Sequence, residues 1–148
     1  MPSPERIEIY KQHRAAQEKY VYFLLAAVGA AIALTVNQTQ GAKLAYSQLP
    51  LGVAVCLWGL SFFFGCKHLN RVESTLFANA DLLKVKDGVY PSVGSDNERI
   101  SVAEEVIRKI IESHSTWAAR FARWQFGAFI LGAVWYLAWH IFEMSLRS

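Results

Sequence analysis

The sequence predicts an all-α integral membrane protein, with three transmembrane helices that extend into a cytoplasmic helical bundle. Three observations lead to this fold class: long apolar segments without a charged residue, an uneven distribution of Lys and Arg, and helical spacing that continues past the segments. The segments lie at about 20–37, 49–66 and 124–142. Each approaches the ~20 residues that a helix needs to cross a hydrocarbon core of about 30 Å.

Composition bounds the number of domains. With 148 residues, 53% of them hydrophobic, the chain is expected to form a single unit, 1–148. A soluble protein would have to bury all three segments as core helices, and the remaining polar sequence is too short to enclose them. A cleaved signal peptide is disfavoured, because the leader 1–19 carries three glutamates and no small-residue cleavage site follows Val36.

Basic residues predict the orientation of the chain. The leader 1–19 holds four Lys or Arg and region 67–123 holds nine, whereas the first loop has only Lys43 and the tail only Arg147. The positive-inside rule then places the N-terminus in the cytoplasm and the C-terminus outside a plasma or inner membrane. This topology signal accounts for the net charge of +3, so no nucleic-acid partner is predicted.

Turn-forming residues mark where the helices begin and end. Ser3 is predicted to cap the first helix, and Pro4 and Pro50 suit the first turns of the first and second helices. Apolar spacing carries the second helix to about Lys86, and the turn formers of 87–97 predict a cytoplasmic loop. The apolar stripe of the second helix comprises Leu69, Val72, Leu76, Ala80 and Leu83.

The third helix is predicted to start at a capping box. Two pairs fit that motif, Ser95 with Glu98 and Ser101 with Glu104. No proline follows before Phe142, so the helix should continue from the cytoplasmic region through the third apolar segment.

A seam of residues at alternating spacings of four and three runs along this third helix, and eleven of its twelve members are apolar. In water the seam must be covered, either by the second helix of the same chain or by a second subunit, and both remain open. His114 is expected to bond a neighbouring helix or to form a pH-sensitive contact. The seam comprises Ala103, Ile107, Ile110, His114, Trp117, Phe121, Trp124, Ala128, Leu131, Trp135, Ala138 and Phe142.

Small residues four positions apart predict close packing of helices within the membrane. Gly29 with Ala33 and Ala128 with Gly132 are the pairs of interest. They could pack the helices of one chain or join subunits of a homo-oligomer. Leucine at Gly29 or at Gly132 is expected to cause loss of assembly.

An aromatic and basic cluster precedes the third segment and predicts an anchor at the membrane interface. Guanidinium groups would lie at the headgroups and aromatic rings at the boundary, in contact with the lipid bilayer and its anionic lipids. The cluster comprises Trp117, Arg120, Phe121, Arg123 and Trp124.

No residue pattern predicts catalysis. The four histidines lack metal-ligand spacing, Cys56 and Cys66 form neither a metal nor a redox motif, and phosphate loops and nucleophile motifs are missing. The chain is therefore expected to be no enzyme and to have no cofactor or metal. The segments also lack the charged groups of ion-coupled transporters.

Two functions remain. In the first, a homo-oligomer couples a signal, from a cytoplasmic protein or small ligand, to its spans as a channel or a membrane-perturbing effector. Thr35, Ser61 and Gln125 are then candidates to line a pore, although the Gln125 amide would also suit a bond to a neighbouring helix or the headgroups. In the second, the chain is a non-conducting anchor or scaffold subunit that recruits a soluble partner.

Overall fold

Three long helices make up the fold in the computed structural model, which describes residues 4–40, 48–90 and 96–147. They are α1 (Pro4–Gln38), α2 (Leu49–Lys86) and α3 (Asn97–Arg147), and the described residues contain no strand. All three are long and apolar enough to cross a membrane. The predicted helical fold class is therefore confirmed at this level.

The predicted helix ends agree with the structure to within a few residues. Gly88 ends α2 in the left-handed region, with φ of 67°, which a glycine adopts without a steric penalty. The Val89 amide donates to the Lys84 carbonyl at 3.0 Å and the Gly88 amide donates to Val85 at 3.1 Å. These two bonds form a Schellman motif, which pairs carbonyls that the helix end would leave unsatisfied.

The cap of α3 differs from the prediction. Asp96 begins the helix, and its Oδ1 accepts a hydrogen bond from the Glu98 amide at 3.1 Å. Ser101 lies inside the helix instead, where its hydroxyl donates to the Glu98 carbonyl at 2.8 Å. The other predicted caps, Ser3 and Ser95, fall outside the described residues, as does Lys43.

The helices pack into two compact units, and whether these behave as the single unit predicted from the sequence stays a prediction. Residues 1–65 with 124–148 form the first, which contains the apolar segments and is called the span unit here. Residues 66–123 form the second, which is called the hairpin unit because the C-terminal part of α2 pairs with the N-terminal part of α3. Both divisions fall within one residue of the predicted limits of region 67–123.

Within the span unit, the three helices meet along a narrow buried strip. Val21, Leu24 and Val28 are buried on α1, and Leu51, Ala54 and Trp58 on α2, with Ala128 contributed by α3. Most large apolar side chains on these helices point outward instead. This arrangement suits a hydrocarbon solvent, in which outward apolar groups carry no penalty.

Candidate functional site

Gln125 lies at the centre of the polar groups in the span unit. Its side chain is fully buried, and neither Nε2 nor Oε1 has a hydrogen-bond partner among the described residues. A buried amide without a partner costs free energy, commonly about 1–3 kcal/mol. The position of this group is therefore an unusual feature of the molecule.

Gly65 makes room for the Gln125 amide. A Cβ atom at Gly65 would lie 2.6 Å from Gln125 Nε2 and 2.7 Å from Leu25 Cδ2. The absence of a side chain therefore lets α1, α2 and α3 approach at one level. The pattern of small residues four positions apart did not predict a role for Gly65, because the residue that packs against it, Gln125, is not small.

Side chains of α2 donate to the backbone of α3 along the same contact. Ser61 Oγ donates to the Gln125 carbonyl at 2.8 Å, and Trp58 Nε1 donates to the Phe129 carbonyl at 3.3 Å. A carbonyl oxygen has two lone pairs, so each can accept this bond in addition to its helical one. These bonds fix the register between the two helices.

Gly132 completes the α2–α3 contact one turn further along. A Cβ atom there would lie 2.5 Å from Trp58 Nε1 and 3.2 Å from the Ala54 carbonyl oxygen. Ala128, the other member of its pair, is also buried. The Ala128–Gly132 pair thus packs helices of one chain, which was one of the two predicted roles.

The Gly29–Ala33 pair has the opposite placement. Both residues are exposed on α1, and a Cβ atom at Gly29 would meet nothing within 4 Å. Among the described residues, nothing lies close enough to Gly29 for tight packing within the chain. The second predicted role of the pair, contact with another subunit, stays a prediction.

The three candidates for pore lining all lie inside the chain. Ser61 and Gln125 are fully buried and Thr35 is 2% exposed. Thr35 Oγ1 donates to the Ala31 carbonyl of its own helix at 2.8 Å. A pore between subunits would be lined by outward-facing side chains, and these three face inward in the single chain, so their role in a pore stays a prediction.

The seam predicted on α3 is displaced by one residue at alternate positions. Ala118, Gln125 and Gly132 face inward, where the spacing pattern had placed Trp117, Trp124 and Leu131. The prediction followed hydrophobicity, but small residues decide which face of a membrane helix can approach another helix. The bulky tryptophans therefore face outward and the amide faces inward.

Two histidines join the helices of the hairpin unit. His68 Nδ1 donates to the Ala118 carbonyl at 2.8 Å, and Arg71 Nη1 donates to His114 Nδ1 at 3.1 Å. His114 is thus bonded to the neighbouring helix, which is the first of the two contacts predicted for it. Sequence reasoning missed Arg71 as its partner, since an arginine next to an apolar stripe is usually assigned to solvent.

Much of the apolar surface of the hairpin unit is uncovered. On α2 the exposed side chains include Leu76, Phe77 and Leu83, and Phe77 is 66% exposed. On α3 a stripe of Val102, Val106 and Ile110 at spacings of four is exposed. The second helix therefore leaves Val102, Val106 and Ile110 uncovered, and of these only Ile110 belongs to the predicted seam, whose members Ala103, Ile107, His114 and Phe121 are half-buried.

The predicted interfacial anchor is outward-facing in part. Arg123 is exposed, Trp117 and Trp124 are 39% and 47% exposed, and Phe121 is half-buried. The Arg120 guanidinium carbon lies 5.1 Å from the centroid of the Trp117 ring, within the range of a cation–π contact.

Among the described residues, no group of three or more His, Cys, Asp or Glu side chains could hold a metal ion. Cys56 and Cys66 are free thiols, and both are exposed.

Comparisons of the chain with protein-family models, with curated proteins and with solved structures gave no match. The chain is therefore assigned to no family. Its function has to be inferred from the arrangement of its own side chains.

Proposed function

We propose that the chain is a homo-oligomeric membrane protein whose hairpin unit, on the cytoplasmic side, receives a partner or signal and couples it to the spans. The proposal places the three apolar helices across the bilayer with the N-terminus inside and the C-terminus outside. Its support is the distribution of Lys and Arg described above.

One observation carries the assembly part of the proposal: the exposed apolar stripe of the hairpin unit. Outward apolar groups in the span unit meet lipid and need no further cover. Region 67–123, with nine basic residues, belongs in water, where exposed Val102, Val106 and Ile110 are unfavourable. A second copy that packs on this stripe would remove them from water.

The span unit offers a matching surface on α1. Ala26, Gly29, Ala30 and Ala33 are exposed there, and small side chains let a neighbouring helix approach closely. Assembly through both units would let a change in the hairpin unit alter contacts between spans. The unbroken helix α3, Asn97–Arg147, supplies the connection within each chain.

The molecular mass of the purified protein in detergent tests assembly. We expect an oligomer for the wild type and loss of assembly for Val106→Glu, because the interface would have to bury an unpaired carboxylate. Ser115→Glu, on an exposed polar position of the same helix, is the matched control and should stay assembled. A monomeric wild type, or equal assembly of all three proteins, would contradict the proposal.

Ion flux through liposomes then separates the two modes of action. In the channel or membrane-perturbing mode, the assembled wild type conducts and Val106→Glu does not. Any pore would be lined by apolar and small side chains of α1, α2 or α3, with dewetting as the gate.

A non-conducting anchor or scaffold is the second candidate function. It is favoured by the burial of Thr35, Ser61 and Gln125 inside the chain, which leaves the outer surface of the spans without those polar groups. In this case the hairpin unit recruits a soluble cytoplasmic protein. Assembly without flux, with or without that protein, is the expected result.

A further inference from the structure

A shallow cleft of about 320 Å³ lies on the outward face of α3 in the hairpin unit. Its lining combines basic, hydroxyl and aromatic side chains with one carboxylate. The lining residues are Lys109, Glu112, Ser113, Thr116, Trp117 and Arg120.

Arg120 provides the positive charge of the cleft. Arg14, Lys84, Arg99, Arg108 and Lys109 each have a carboxylate within 4 Å. No such carboxylate lies beside Arg120 in the described part of the chain, where its recorded contact is the Trp117 ring at 5.1 Å. The guanidinium therefore keeps its hydrogen-bond donors available for an anion.

Hydroxyl groups lie next to this charge. Thr116 and Ser113 lie one and two turns before Arg120 on the same face of α3, and both are exposed. The Ser113 hydroxyl makes no hydrogen bond within the described residues, so it can donate to an anion. Thr116 already donates to the Glu112 carbonyl at 2.9 Å.

The sequence position of the cleft suits the headgroup layer. Arg120 precedes Trp124, where the uncharged segment begins, by four residues, or about 6 Å of helix rise. Trp117 adds a half-exposed ring, which is typical of the boundary between headgroups and acyl chains.

We propose that this cleft binds the phosphate of an anionic glycerophospholipid on the side of the membrane that the hairpin unit occupies. Arg120 and Ser113 hold the phosphate oxygens, and the Trp117 ring packs against the glycerol and the start of the acyl chains. The inference rests on the membrane placement of the chain and is independent of its assembly.

Charge in the cleft also defines which headgroup fits. Lys109 is paired with Glu105 at 2.8 Å, whereas Arg120 has no carboxylate within 4 Å among the described residues and so favours a lipid with a net negative charge over a zwitterionic one. Glu112 lines the far end of the cleft, about two turns from Arg120, where it repels a headgroup with further phosphates. The cleft therefore favours a lipid with one phosphate and a net negative charge, such as phosphatidylglycerol.

Lipid retention on the purified full-length protein, measured by native mass spectrometry from mixed phosphatidylglycerol and phosphatidylcholine micelles, tests the site. We expect the wild type to prefer phosphatidylglycerol and Arg120→Gln to lose about fivefold of that preference. Trp117→Leu, which keeps every charge, should lose part of it, and Trp117→Phe should keep it. Arg108→Gln removes an exposed, paired cation elsewhere on α3 and should change nothing.

Two outcomes would overturn the proposal. If Arg108→Gln and Arg120→Gln weaken retention equally, the preference reflects diffuse positive charge and no cleft. If soluble glycerol 3-phosphate displaces the lipid at equal concentration, the cleft recognises free phosphate rather than a lipid. Unchanged retention in Arg120→Gln, with the helical content preserved by circular dichroism, would likewise refute it.

Discussion

Gln125 illustrates that the favourable environment for a polar side chain differs between a membrane protein and a soluble one. Its amide faces the other helices beside Gly65, while its neighbour Trp124 faces outward. Lipid cannot hydrogen-bond an amide, so the interior of the bundle is the less unfavourable place for it. The outward tryptophan, in contrast, meets an apolar solvent that suits its ring.

Replacing this amide should stabilise the chain. Gln125→Met keeps the length of the side chain and removes two buried polar groups that lack a protein partner, so we expect the free energy of unfolding in detergent to rise by about 1–3 kcal/mol. Ser61→Ala removes a satisfied bond at the same contact and should lower it by about 1 kcal/mol. A loss of stability in Gln125→Met would mean that the amide is hydrogen-bonded in the membrane.

At the scale of the helices, close approach depends on which glycine faces inward. Gly132 lies against Trp58 and a backbone carbonyl, whereas Gly29 faces open space on α1. Two glycines that look alike in sequence therefore have different physical roles. One sets the distance between α2 and α3, and the other leaves a surface free.

Alanine at these two positions should separate the roles. Gly132→Ala places a methyl group against Trp58 and the Ala54 carbonyl, so α2 and α3 must move apart and the melting temperature in detergent should fall. Gly29→Ala should not lower it, because nothing lies within 4 Å and alanine favours a helix. Equal losses in both variants would contradict this assignment.

The start of α3 supplies a second test at this scale. Asp96→Ala removes the side chain that accepts from the Glu98 amide and should cost about 1 kcal/mol, seen as faster amide exchange in the first turn. Ser101→Ala is the control, since Ser101 is inside the helix and caps nothing. Faster exchange in the Ser101 variant alone would restore the cap expected from sequence.

The sequence was sufficient to predict where the helices begin and end, but not which face of a helix packs against the others. Charge-free segments, turn formers and Gly88 locate α1, α2 and α3, because chain length and backbone conformation set those limits. Which side of α3 faces inward depends on the solvent around it. In water, the apolar ring of Trp124 would face the protein interior and the polar Gln125 would face the solvent. In hydrocarbon the polar side chain faces the interior instead, so a seam chosen by hydrophobicity misplaces the contact between helices.

The same difference of solvent applies to the whole molecule. In the proposed placement, exposed apolar groups of the span unit meet lipid, whereas those of the hairpin unit would meet water and require cover. Sequence reasoning predicted that His114 bonds a neighbouring helix but did not identify Arg71 as the partner. That partner depends on the register between two helices, which spacing alone does not define.

Chain orientation is a property of the whole molecule that labelling can test. In a background with Cys56 and Cys66 replaced by serine, single cysteines at Ser3 and Ser148 should react with an impermeant maleimide from opposite faces of sealed cells or vesicles. Three crossings require this, and the distribution of basic residues predicts that Ser3 lies inside. Labelling of both ends from one face would contradict the three-span arrangement.

The positions of the five tryptophans allow their fluorescence to report the depth of the helices in a bilayer. Trp117, Trp124 and Trp135 look outward at successive levels of α3, while Trp58 is buried and the Trp139 ring nitrogen is enclosed. Lipids brominated at different carbons of the acyl chain would therefore quench the emission of Trp124 and Trp135 at different depths and spare that of Trp58. The tilt of α3 can thus be read from its native fluorescence, without an added dye.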